Sequence, residues 1–283
     1  MNVQRYPERI VASASGITES ALRSSIFPRL HLFEWHELES CPGIVRDGIT
    51  EILRTLCRQM RVHEAIHPVL EDVIARTNAT QIVDLCSGSG GPISALYETG
   101  LMHLPALLTD KFPNPRAYAL VSAATDGRIQ GHSASIDATQ VPPGLIGVRT
   151  IFNAFHHFRP EQARAILSDA YASRQPIAIF EITERSLFNT STNFVLSFLT
   201  MLTMLPRMRP FRWQWALLTY LIPILPIAFG WDGTVSCLRS YTDQEFRHLI
   251  AGLDDPSYSW RSGRIPVPGS PIKVNYFCGI PHK

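Results

Sequence analysis

Residues 81–92, Gln-Ile-Val-Asp-Leu-Cys-Ser-Gly-Ser-Gly-Gly-Pro, constrain this chain more than any other stretch. The run 82–85 is short and apolar apart from Asp84, which predicts a strand buried on both faces of a parallel sheet. Residues 86–91 form a glycine-rich turn that lets the backbone come close to a ligand, and Pro92 suits the first turn of a following helix. Strand, glycine turn and helix in that order make a site for a nucleotide-type ligand at the edge of a parallel sheet.

The spacing of the glycines separates two ligand classes. A dinucleotide fingerprint needs Gly-x-Gly-x-x-Gly, but here Gly88 and Gly90 are followed by Gly91, and Ile93 stands in the third place. This argues against NAD. The stretch instead resembles motif I of the class I S-adenosylmethionine (SAM) methyltransferases, commonly written Asp-Leu-Gly-Cys-Gly-Thr-Gly. Asp84, Gly88 and Gly90 fall on matching positions, while Cys86 replaces the first glycine. The resemblance implies an α/β, Rossmann-like, seven-stranded sheet with SAM as cofactor and Asp84, Cys86, Ser87, Gly88 and Gly90 in the binding loop.

A chain of 283 residues with 45% hydrophobic content is long enough for one large α/β core carrying an insertion. Its formal charge of +2, from 26 basic and 24 acidic residues, gives no reason to expect nucleic acid as a partner. Cysteines at 41, 57, 86, 237 and 278 form no Cys-x-x-Cys pair and read as reduced, intracellular thiols. Residues 1–20 contain no apolar core of signal-peptide length, so the expected location is cytoplasmic. Mean hydropathy is slightly positive, and the excess sits mainly in residues 193–231.

Up to about Gly43 the chain has no strong period and reads as a loose arm. A helix is expected from Asp47, its N-cap, with Ile49, Ile52, Leu53, Leu56 and Met60 on one face, and a second over residues 68–76. Residues 1–80 would then be an arm and a helical cover, since helices lie over the cofactor entrance in the family this chain resembles. Between the two helices, His63-Glu64-Ala65-Ile66-His67 matches the zinc-peptidase pattern His-Glu-x-x-His. Pro68 follows directly and disfavours a helical His67, so a polar junction is expected there and no metal is assigned. A zinc hydrolase using these residues remains the minor alternative.

Beyond the glycine loop, strand two ends at Asp110, about where a carboxylate accepts hydrogen bonds from ribose hydroxyls. The plainer reading of Asp110 is a surface acid at a strand end. Lys111 and Phe112 follow and could line the nucleoside. Strand three leads to Asp137 and Ala138; in the family resembled, an acid here accepts the adenine amine and the next amide reaches a ring nitrogen. Asp137 could equally be a turn former.

Strand four opens into Asn153-Ala-Phe-His156-His157-Phe, which resembles the family's motif IV segment, and Asn153 joins the cofactor set. Of the two histidines, one should point into the site and the other away. His156 is taken as the inward one and the catalytic candidate, accepting or orienting an acceptor proton, against the alternative that both are bonded within the scaffold.

The core is expected over residues 81–185 and 232–283, ending in an antiparallel β-hairpin, with residues 186–231 as an apolar lid. Its two apolar segments, 194–205 and 213–231, flank Arg207, Arg209 and Arg212, and Asp232-Gly233 should turn the chain away. The lid is read as a soluble cover over a hydrophobic small-molecule substrate, as a peripheral membrane contact, or as a spanning pair. The function expected is methyl transfer to a hydrophobic acceptor; the alternatives are a non-catalytic SAM-binding or membrane-associated protein.

Overall fold

A computed structural model of the chain describes residues 9–10 and 28–282. The rest of the expected N-terminal arm lies outside the described residues. Seven strands make the core: β1 (Ile82–Leu85), β2 (Ala106–Leu108), β3 (Ile129–Gly131), β4 (Val148–Phe152), β5 (Ile177–Glu181), β6 (Tyr258–Pro266) and β7 (Lys273–Pro281). Their order is β3-β2-β1-β4-β5-β7-β6, and the two-residue strand Arg9–Ile10 is added at the β6 edge. The first five are parallel, while β7 runs antiparallel between β5 and β6. This is the Rossmann-like sheet of the class I methyltransferases, as the glycine loop and terminal hairpin lead one to expect.

The parallel strands read as unbroken apolar runs because helices cover both faces. On one face α2 (Val62–Thr77), α3 (Gly91–Glu98) and α4 (Pro115–Ala124) pack Ile66, Leu70, Leu96 and Val121 against Ile82, Val148 and Ala178. On the other, α5 (Pro160–Ala172) and α9 (Asp243–Leu249) pack Ile166, Leu167 and Phe246 against Val83, Ile151 and Ile179. Asn114 caps α4 by accepting from Ala117 N at 3.1 Å, and Thr242 with Glu245 caps α9, as their spacing predicts.

A third apolar cluster joins the insertion to α1 (Gly43–Gln59): Met201, Leu205, Met208, Trp215, Leu225 and Phe229 enclose Val45, Ile49 and Ile52. The segment expected as a lid over residues 186–231 folds as α6 (Leu187–Met204), the short α7 (Trp213–Ala216) and the start of α8 (Ile224–Arg239), which runs past its expected end. Among the described residues no single helix is long and apolar enough to cross a membrane. Trp213–Leu221 and Ile224–Arg239 reach that length and composition together, but they are bent by 80°.

Four expectations need correction. Asp47 is not an N-cap but lies inside α1, paired with Arg212 at 2.8 Å. Helix α2 begins at Val62 and runs through Pro68, because its buried face of Val62, Ala65, Ile66, Val69 and Leu70 outweighs one lost backbone hydrogen bond. Asp232-Gly233 is not a turn, since α8 continues to Arg239. Gly233 serves close packing instead: a β-carbon there would stand 2.5 Å from Asn193 Oδ1 on α6. The arm is not loose over residues 28–42. It is bound to α8 by Leu30 N donating to Leu238 O, by Trp231 Nε1 donating to Phe33 O at 3.0 Å, and by Asp232, which accepts from Trp35 N at 2.6 Å.

Candidate functional site

The carboxyl ends of β1 to β5 open on one edge of the sheet, and nearly every residue singled out above lies there. The glycine loop follows β1. Ser87 N donates to Thr109 O and Gly90 N to Ser87 O, so the loop folds back over the end of β2. Gly90 has φ +87°, and a β-carbon there would meet Val121 at 3.0 Å. Cys86, in place of a glycine, nevertheless holds φ +56°, a conformation costing a residue with a β-carbon on the order of 1–3 kcal/mol. Asp84 is buried, accepts from Thr150 Oγ1 at 2.6 Å, and burial pushes its carboxyl up to about 7.

Asp110 ties the loop to the second strand. Its Oδ2 accepts from Gly88 N and its Oδ1 from Phe112 N, both at 2.9 Å. Each carboxylate oxygen has a second lone pair, so both can still accept from a hydroxyl. Asp137 accepts from Thr139 N and Oγ1 through one oxygen and pairs with Lys111 Nζ at 3.1 Å through the other. Its turn-forming role is therefore realised, with Ala138 buried behind it. Asn153 follows β4 at φ +50° and accepts from Ile182 N at 3.3 Å.

Past β4 the chain makes a short 3-10 turn, Phe155–His157. Its roughly 120° step per residue replaces the 180° alternation of a strand. Consequently the two histidines do not point oppositely: their rings lie 4.2 Å apart and enter one cluster. His156 is 1% exposed, with Nδ1 2.6 Å from Glu181 Oε2 and Nε2 3.9 Å from Glu34 Oε1. Burial alone would lower its pKa, but the Glu181 carboxylate outweighs burial and raises it. The second Glu181 oxygen accepts from Phe155 N at 2.7 Å. In this arrangement His156 is enclosed by the scaffold, with its Nδ1 held by Glu181.

The rest of the cluster comes from the arm and from α8. Glu34, also buried, lies near His36 and His157, and burial raises its pKa. His36 Nδ1 is 3.0 Å from Asp232 Oδ2 and His157 Nδ1 is 2.8 Å from Glu37 Oε1. Burial, the largest single influence, lowers the pKa of His36, but its bond to Asp232 and the nearby carboxylates of Glu34, Asp232 and Glu37 together raise it; burial with the adjacent His156 pushes His157 down to about 3. Arg239 is enclosed among them, donating to both Glu37 oxygens at 2.6 and 2.7 Å, to Glu34 Oε1 at 3.2 Å and to Leu32 O. Sequence reasoning missed Glu34, His36, Glu37, Asp232 and Arg239. The signal available was the alternation of charged and aromatic residues in Phe33-Glu-Trp-His-Glu, unusual for an unstructured arm.

By contrast, His63 and His67 share α2 but form no such group. His63 is buried with Nε2 4.0 Å from Glu64, whereas His67 pairs with Glu71 at 3.6 Å. Among the described residues, only Glu34, His36 and His157 bring three such ligand atoms within 4.8 Å of one another.

No protein-family model and no curated protein matches the sequence. Among solved structures, the chain is similar to the methyltransferase domain of bacterial CtHen1 (14% identity, 79% of this chain and 98% of that one, TM-score 0.45). It is also similar to an O-methyltransferase family protein from Burkholderia thailandensis (14%, 81% and 60%, TM-score 0.46) and to NcsB1, an O-methyltransferase of neocarzinostatin biosynthesis solved with SAM and 2-hydroxy-5-methyl naphthoic acid (14%, 76% and 56%, TM-score 0.42). The chain spans little more than half the length of these two O-methyltransferases. At such identities and TM-scores the fold assignment rests on the strand order itself.

Proposed function

We propose that this chain transfers a methyl group from SAM to a hydrophobic small-molecule acceptor. One observation carries the reading: the glycine loop and the strand-end carboxylate of Asp110 are bonded to each other at the carboxyl edge of a class I methyltransferase sheet. The residues fit the cofactor. Asp110 has acceptor capacity for two ribose hydroxyls, Gly90 leaves room where a β-carbon would crowd Val121, and Asp137 with Ala138 and Asn153 continues the same edge. SAM, when bound, supplies an electrophilic methyl carbon that needs no further activation. The protein's part is to hold the acceptor in line and exclude water. The arm, through Glu34 to Glu37, closes the β4 and β5 end of the crevice and would help do both. His156 acts by fixing Glu181, to which its Nδ1 is bonded.

An apolar acceptor is supported by the insertion, which leaves Phe188, Val195, Leu196, Phe211, Trp213 and Leu221 exposed. Calorimetric titration of the purified chain with SAM tests the cofactor assignment. Wild type should bind one equivalent, and Asp110→Ala should weaken binding at least tenfold while leaving the melting temperature within a few degrees. Failure of the folded wild type to bind would sink the reading.

A second reading concerns the same exposed face. Arg207 and Arg209 are exposed beside Phe211 and Trp213, while Arg212 is paired with Asp47; the two exposed cations with apolar side chains suit an anionic lipid surface. In a flotation assay, wild type should rise with phosphatidylglycerol vesicles, and the double variant Trp213→Asp, Leu221→Asp should stay below. Equal behaviour of the two proteins would count against a lipid contact.

A further inference from the structure

We infer that Glu34, His36 and His157 form a binding site for a divalent transition-metal ion. The three come from two places far apart in sequence, and the fold brings them together where the arm crosses the turn after β4. Glu34 Oε2 lies 3.6 Å from His36 Nδ1 and 3.8 Å from His157 Nδ1. An ion bound at about 2.1 Å to each ligand holds neighbouring donors about 3.4–3.6 Å apart, so the site closes once His36 Nδ1 turns from Asp232, 3.0 Å away, and His157 Nδ1 from Glu37 and Arg239, 2.8 and 3.2 Å away.

Two independent observations point to a cation there. The first is an orphaned donor. The side chain of Glu34 is 1% exposed, and its Oε2, facing both imidazoles, has no hydrogen-bond partner among the described residues. An unsatisfied carboxylate oxygen so deeply buried is costly unless a cation meets it. The second is the charge balance. Four carboxylates, Glu34, Glu37, Glu181 and Asp232, converge on this cluster. One guanidinium, that of Arg239, bonds Glu34 and Glu37 inside the cluster, and a second, Arg29, sits at its edge on the carbonyls of His156 and Phe158. With both guanidiniums counted against the four carboxylates, two negative charges remain, which one divalent ion neutralises. Protons on two of the imidazoles would do the same, and that is the rival account.

The donor set selects the ion. Two imidazole nitrogens and one carboxylate oxygen suit zinc and its neighbours in the first transition row and are a poor match for magnesium or calcium, which take oxygen ligands. Asp232 bonds His36 Nδ1 at 3.0 Å, which places it to serve as a fourth ligand once that nitrogen turns to the ion. His36 and His157 keep 29% and 24% of their side chains exposed, so the cluster reaches solvent, from which an ion and a water ligand can enter. Should the chain be a methyltransferase, an acceptor oxygen could take the place of that water and lose its proton more readily. That role depends on the reading above; the binding of metal does not.

The test uses the full chain, stripped with chelator and titrated with cobalt(II), with zinc in competition. Wild type should take up one equivalent of cobalt, show visible ligand-field bands, lose them to zinc, and melt several degrees higher with either ion. Glu34→Gln and His157→Asn should each weaken uptake at least tenfold, while His67→Gln leaves it unchanged. X-ray absorption of the zinc-loaded wild type gives a second measure that does not depend on how the variants fold: imidazole scattering from two histidines is expected. Absence of cobalt uptake by folded wild type, a zinc shell without imidazole, or uptake retained in folded Glu34→Gln and His157→Asn overturns the inference. Each result is independent of whether SAM binds.

Discussion

The chain contains two groups of histidine and glutamate, and they invert what sequence proximity suggests. His63, Glu64 and His67 fall within five residues on one helix, in a pattern that is familiar as a metal-binding motif. Glu34, His36 and His157 are spread over more than a hundred residues and have no motif at all. Yet the first group separates in space, with His67 turned to Glu71 and His63 buried, whereas the second converges around a shared buried oxygen. Spacing along a helix decides only which face residues share. Whether donors meet depends on what the tertiary structure packs above that face. For the second group, α8 holds the arm across the sheet edge.

The largest effect that would break this contrast comes from Arg239. Its side chain is almost wholly buried, and its guanidinium is the one that directly bonds Glu34 and Glu37 within the cluster. Removing one partner of a buried charge pair costs about 3–5 kcal/mol, because the other charge stays enclosed. Arg239→Met should therefore destabilise the protein by that amount in urea denaturation, releasing the arm from α8. Limited proteolysis should then cut within residues 28–42. A variant that melts like wild type with an uncut arm would mean that the cluster does not hold the arm in place.

How much of this could be read from the sequence follows the same division. The sheet was legible because each of its signals is local: a buried apolar run before the glycine loop, Asn114-Pro115 opening α4, the Thr242 and Glu245 cap of α9. The cofactor edge was legible because residues ending successive parallel strands share one edge whatever packs on it. The histidine pair after β4 was located correctly along the chain but oriented wrongly, since a strand's alternation was extended into what is a 3-10 turn. Glu34 and His36 were unreadable for a different reason. They lie in a segment without period, fixed by backbone bonds to Asp232 and Leu238 two hundred residues away. Nothing local encodes such bonds. The same distance effect hid the length of α8, where Gly233 signalled a turn but serves the close approach of α6.

Pro68 sharpens the comparison with a smaller and opposite effect. The rule that a residue before proline avoids the helical region was reason to expect a break at His67, and the helix runs on. The local cost has not vanished. Pro68 has no N–H to donate to the Glu64 carbonyl, and its ring crowds that turn, a penalty of about 3 kcal/mol in a helix interior. The apolar face from Val62 to Val73 buries enough surface to carry α2 past it, and Pro68 itself is exposed, so its ring makes no compensating core contact. Pro68→Ala should then stabilise the protein by about 1–2 kcal/mol, less than the full penalty because proline also restricts the unfolded chain. Equilibrium urea unfolding measures this directly. A gain in that range would confirm that tertiary burial overrode a standing local preference, and a loss would mean that the helix is built around the proline.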